Sequence, residues 1–160
     1  MGDKINLELL LRDLYESLSE LSLVLDKEHE ALSRNDVDFL MNASVEKQEL
    51  GEKVSRLDNH RKSILDEKGL ENSLSGMKVL IQESSGHDEN ALFKLWNMVS
   101  ELTQDCTVKN KLIGIIIEAK RRQTNDALSV LQGYQPDSNG LYDAEGTAVQ
   151  MNPNNSIAKA

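Results

Sequence analysis

Residues 7–32 read LELLLRDLYESLSELSLVLDKEHEAL, with leucines at positions 7, 11, 14, 18, 21, 25 and 32. Steps of four and three keep these side chains on one face of a helix, the spacing of a coiled-coil-like seam, and Glu28 is the one gap in it. Leu9, Leu10, Val24 and Ala31 widen the stripe, so the helix has more than one neighbour along part of its length. The pattern predicts a helix from about Asp3, which can cap its start, to Ser33. At 1.5 Å per residue that is on the order of 45 Å.

After this stretch, Asn35-Asp36 supplies short polar side chains suited to a turn and to the N-cap of a second helix. Val37, Leu40, Ser44, Lys47, Gly51, Val54, Asp58, Arg61 and Leu65 continue the three-four spacing with many polar interruptions, beside a stripe of Met41, Leu50, Leu57 and Ile64. The second helix is therefore expected to be half buried, and a two- or three-residue connection makes it an antiparallel neighbour of the first. Arg61, on the seam, is placed to pair with a carboxylate of helix one. From 66 to 90 the periodicity weakens into a loop with room for a short helix. Ser85 and Asp88 then form a capping pattern before a third long helix bearing Leu92, Leu95, Val99, Leu102, Cys106, Ile113, Ile116, Ala127 and Val130. Trp96 sits one residue off that stripe, at the bundle edge.

Both prolines, Pro136 and Pro153, lie in the last quarter, so nothing before position 136 breaks a helix by ring clash. Aromatics make up 4% of the chain, which leaves leucine, isoleucine and valine to build the core. The fold class is all-α: an elongated antiparallel bundle of three long helices over residues 1–133. Residues 134–160, rich in Asn, Asp, Gly, Ser and Pro and without periodicity, read as a disordered C-terminal tail.

The formal charge of −9 argues against nucleic acid, because phosphate binding needs a concentrated basic face, and Lys120-Arg121-Arg122 is too short to supply one. A single cysteine cannot form an internal disulfide, and no apolar run has the length of a signal sequence or membrane span. The expected location is the cytoplasm. No cofactor or metal is expected either. His29, His60 and His87 lie in charge-rich strings that lack the His-x-x-Lys-Gly context of a phosphotransfer histidine. Asp26-x-x-His29 is a lone carboxylate-histidine pair where a di-iron bundle needs two. Cys106 occupies an apolar seam position and reads as a small core residue.

One run exceeds structural need: Leu112 to Ile117 is almost unbroken apolar around Gly114, more than one seam requires. It divides between core and an exposed groove for a partner helix. The distal third helix is thus the first residue set that calls for a function.

The ordered motifs resemble the FlgN family of flagellar export chaperones over nearly the whole chain. They are the leucines ahead of Glu28-His29-Glu30-Ala31-Leu32, the spacing Lys47, Leu50, Leu57, Arg61, the series Cys106, Asn110, Gly114, Ala127, Leu128, Leu131, and the tail segment from Leu141-Tyr142 to Thr147. Two positions depart from the family pattern: Ile113 stands where an asparagine is usual, and Asp143 where a glycine is. The resemblance implies a non-enzymatic chaperone that binds the C-terminal segments of hook–filament junction proteins through its own C-terminal part. Asn110, Leu112, Ile113, Gly114, Ile116, Ile117, Leu128 and Leu131 are the implied cargo contacts. It also implies that Tyr142 docks on the export gate. The alternative is a coiled-coil scaffold or adaptor that forms a homodimer through helix one.

Overall fold

The computed structural model describes residues 2–84 and 89–133, with side chains from Leu7 onward. The described residues form four helices: α1 (Gly2–Arg34), α2 (Val37–Glu67), α3 (Leu74–Ser84) and α4 (Glu89–Leu131). Three are long, and α3 fills the connection where the sequence leaves room for a short helix. The chain divides into two compact units, residues 1–117 and 118–160, the second described only for 118–133. The Ser85–Asp88 cap, His87 and residues 134–160 lie outside the described residues.

The turn between α1 and α2 forms as its residues dictate. Asn35 adopts φ 55, the left-handed region that asparagine tolerates, and the Asp36 amide closes back on the Ala31 carbonyl at 3.0 Å. Asp36 then caps α2, its side chain accepting the Phe39 amide at 3.0 Å. At the other end, α1 starts at Gly2, so Asp3 lies inside the first turn rather than capping it. The reversal packs α2 along α1, and Lys27–Glu46 and Lys47–Glu28 tie the pair across.

α2 ends before Gly69, whose φ of +67 suits the position after a helix cap, with the Leu70 amide returning to the Leu65 carbonyl at 2.9 Å. Ser73 opens α3 by accepting the Gly76 amide at 3.1 Å. A Cβ at Gly76 would fall 1.9 Å from the Glu71 carbonyl oxygen, so only glycine fits this close approach.

The core of the first unit is the α1 seam. Leu7, Leu11, Leu14, Leu18, Leu25 and Leu32 are buried together with Leu65, with Met77, Leu80 and Ile81 of α3, and with Leu92, Val99, Cys106 and Ile113 of α4. Val24 belongs to a smaller cluster with Ala43 and Leu50, so α1 meets α2 on a second side, as its wide stripe requires. The 89–117 part of α4 runs alongside α1 in the same direction. Cys106 approaches the Leu18 carbonyl, Ser22 donates to Asp105, and Lys109 bridges Asp26 and Asp105 at 2.9 and 3.1 Å.

The gap at Glu28 is not a gap in packing. Glu28 is 2% exposed and takes Lys47 Nζ on Oε1 at 2.8 Å, while its Oε2 has no partner among the described residues.

Candidate functional site

Between α2 and α4 the first unit is open. Two adjoining cavities of about 590 and 530 Å³ share Leu18, Leu21, Gly51, Val54 and Thr103, and so form one continuous groove. Its floor is the α1 seam from Leu14 to Leu25. Gly51 and Ser55 form part of the α2 wall, and Ser100, Thr103 and Thr107 part of the α4 wall.

Small side chains on the two walls leave the space over the leucines unfilled. A Cβ at Gly51 would meet nothing within 4 Å. The hydroxyls of Ser100, Thr103 and Thr107 donate to backbone carbonyls one turn back, at 2.9, 2.8 and 2.7 Å, which settles their hydrogen bonding within α4. Of the interruptions of the α2 stripe, Lys47, Gly51, Asp58 and Arg61 line the groove, and Ser44 does not.

One end carries a charge cluster. Arg61 is 6% exposed, donates to Asp58 at 2.8 Å and to Asn72 at 2.9 Å, and lies 5.2 Å from the Trp96 ring centroid. Its partners are thus on its own helix and the following connection, not on α1 as the seam position suggested. Burial pushes the Asp58 carboxyl up, but hydrogen bonds from Lys62 and Arg61 more than offset this and hold it below the usual aspartate range. Trp96, half buried against the core, closes this end.

The apolar run of α4 divides side chain by side chain. Ile113 is 2% exposed in the core, so its side chain is not available to a ligand in this conformation. Ile116 is half buried against the same core. Leu112 and Ile117 are open, at 48% and 42%, and Asn110 and Gly114 are exposed. Cys106 is a core residue, and burial raises its thiol above the ordinary range, with the neighbouring Asp105 carboxylate adding to this.

In the second unit Leu128 and Leu131 are exposed, Leu131 by 82%. The seven-residue repeat that buries Leu92, Val99, Cys106 and Ile113 reaches Lys120 next, so the apolar stripe ends there in sequence. Tyr142 lies outside the described residues. Periodicity alone did not reveal the groove, although Gly51, Ser55, Ser100, Thr103 and Thr107 were its signal. Among the described residues no three histidine, cysteine or carboxylate side chains stand together as a metal site, and no helix is long and apolar enough to cross a membrane.

An open apolar groove floored by leucines, with uncovered apolar residues further along one helix, suits a helical protein to the binding of another chain. The family model described as FlgN protein matches residues 1–150, and the chain belongs to the FlgN family of flagellar export chaperones. That family is a chaperone family, not an enzymatic one. No curated protein and no solved structure matches the chain.

Proposed function

We propose that the protein is a cytoplasmic chaperone that binds the C-terminal segments of hook–filament junction proteins and presents them to the export gate. Family membership supports the chaperone role, and the exposed apolar side chains of α4 support the choice of surface. Uncovered apolar side chains of this kind suit the binding of another chain. In the first unit the cargo contacts are Leu112, Ile117, the outer edge of Ile116, and the backbone-accessible Asn110 and Gly114. In the second they are Leu128 and Leu131. Ile113 drops out of the set expected from sequence because the core occupies it. Residues 134–160 serve as a tail whose Tyr142 contacts the gate.

The rival is a scaffold that buries its α1 seam against its own copy. Burial within one chain speaks against it: Leu7, Leu11, Leu14, Leu18 and Leu25 are each at most 3% exposed in the monomer. Light scattering on the purified protein should give a monomer mass that shifts on adding a junction-protein C-terminal peptide. A tight dimer that binds no such peptide would establish the scaffold instead.

A further inference from the structure

We propose that the α2–α4 groove seats an amphipathic helix with an acidic flank, supplied by the exported protein, between these two helices of the first unit. This rests on the cargo-binding reading above and adds a second contact region, together with the chemistry of the segment that fills it.

Charge carries the choice of occupant. The chain has a formal charge of −9, yet the groove is lined by four cations, Lys47, Arg61, Lys62 and Lys111, against one carboxylate, Asp58. That carboxylate is engaged by Arg61 and Lys62, each at 2.8 Å. Lys111 has no carboxylate partner among the described residues. With Arg61 buried and Lys47 held by Glu28, an incoming helix meets a leucine floor edged by Lys62 and Lys111, and the complementary segment has one apolar face flanked by Asp or Glu.

Polarity at the end of the floor fixes where that helix stops. Beyond Leu25 the next seam position is Glu28, buried and held by Lys47. An apolar face sliding one turn further would stack on this ion pair and lose its leucine contacts. A polar group in an otherwise apolar seam sets register in this way.

The test is steric. Gly51→Trp projects a ring into the groove from a position whose Cβ touches nothing, so the protein should keep its helicity and melting temperature, glycine being a poor helix former. Calorimetric affinity for a synthetic C-terminal peptide of a hook–filament junction protein should fall at least tenfold, whereas Lys53→Trp, on an exposed position outside the groove, should leave it unchanged. Lys111→Glu, also exposed, should weaken binding severalfold and flatten its salt dependence. These losses without unfolding support the groove.

Wild-type affinity in Gly51→Trp, or unchanged affinity and salt response in Lys111→Glu, overturns it while leaving the chaperone reading intact. Should Gly51→Trp unfold the protein, Lys111→Glu alone decides. Loss of self-association rather than of peptide binding would make the occupant a second copy and also overturn the proposal. No binding by the unaltered protein would instead remove the chaperone reading on which the proposal rests.

Discussion

Ile117→Asp should weaken binding of a junction-protein C-terminal segment by roughly thirtyfold, about 2 kcal/mol, the cost of removing an interface anchor. Ile117 is 42% exposed, so the charge remains partly solvated in the free protein and the helix should stay folded. The adjacent Ile116 is a poorer probe. It packs against the core, and an aspartate there would confound lost binding with lost stability. Calorimetry with circular dichroism on the same sample separates the two. Unchanged affinity in a folded Ile117→Asp variant would remove this patch from the cargo surface.

The second large effect concerns the tail. On the proposed function, cargo stays bound while the complex meets the gate, so gate recognition is best carried outside the cargo contacts. A tyrosine suits that task because its ring offers apolar area with a polar tip at small entropic cost. Tyr142→Ala should leave cargo affinity within about twofold of the unaltered protein while strongly reducing binding of the loaded complex to the gate, together with secretion of the junction proteins. Deleting residues 134–160 should do at least as much. Normal gate binding and normal secretion by Tyr142→Ala would leave the tail without a docking role.

Much of the fold is legible in the residues because it is periodic. The leucine stripe of α1, the Asn35-Asp36 turn and the Cys106 core position each follow from one local rule, and the structure places all three accordingly. The groove was not legible in the same way. A stripe containing Lys47, Gly51, Asp58 and Arg61 reads alike whether its polar members face water or line a cleft, because periodicity fixes a face but not what covers it. Arg61 shows the same limit: its seam position predicted a carboxylate on helix one, whereas Asp58 lies one turn away on its own helix and needs no tertiary contact to reach it.

The apolar run of α4 was legible as an excess and not as an assignment. Six consecutive residues of a helix point in every direction, so some must enter the core. Ile113 does so because it stands seven residues after Cys106. The family's usual asparagine at that position is thus replaced here by a side chain that packs at the α1 interface. Glu28 is the converse case, a charged residue that looked like a break in the seam and proves to be buried in it through Lys47.

On the proposed function, this chain binds a junction-protein C-terminal segment as a monomer. Titrating the full-length protein with that peptide in a calorimeter, while following helix content by circular dichroism, tests it most directly. The expected result is saturable one-to-one binding with a gain in helix as the peptide orders on the surface. No heat and no gain in helix at peptide concentrations well above those at which the chaperone would act would contradict it.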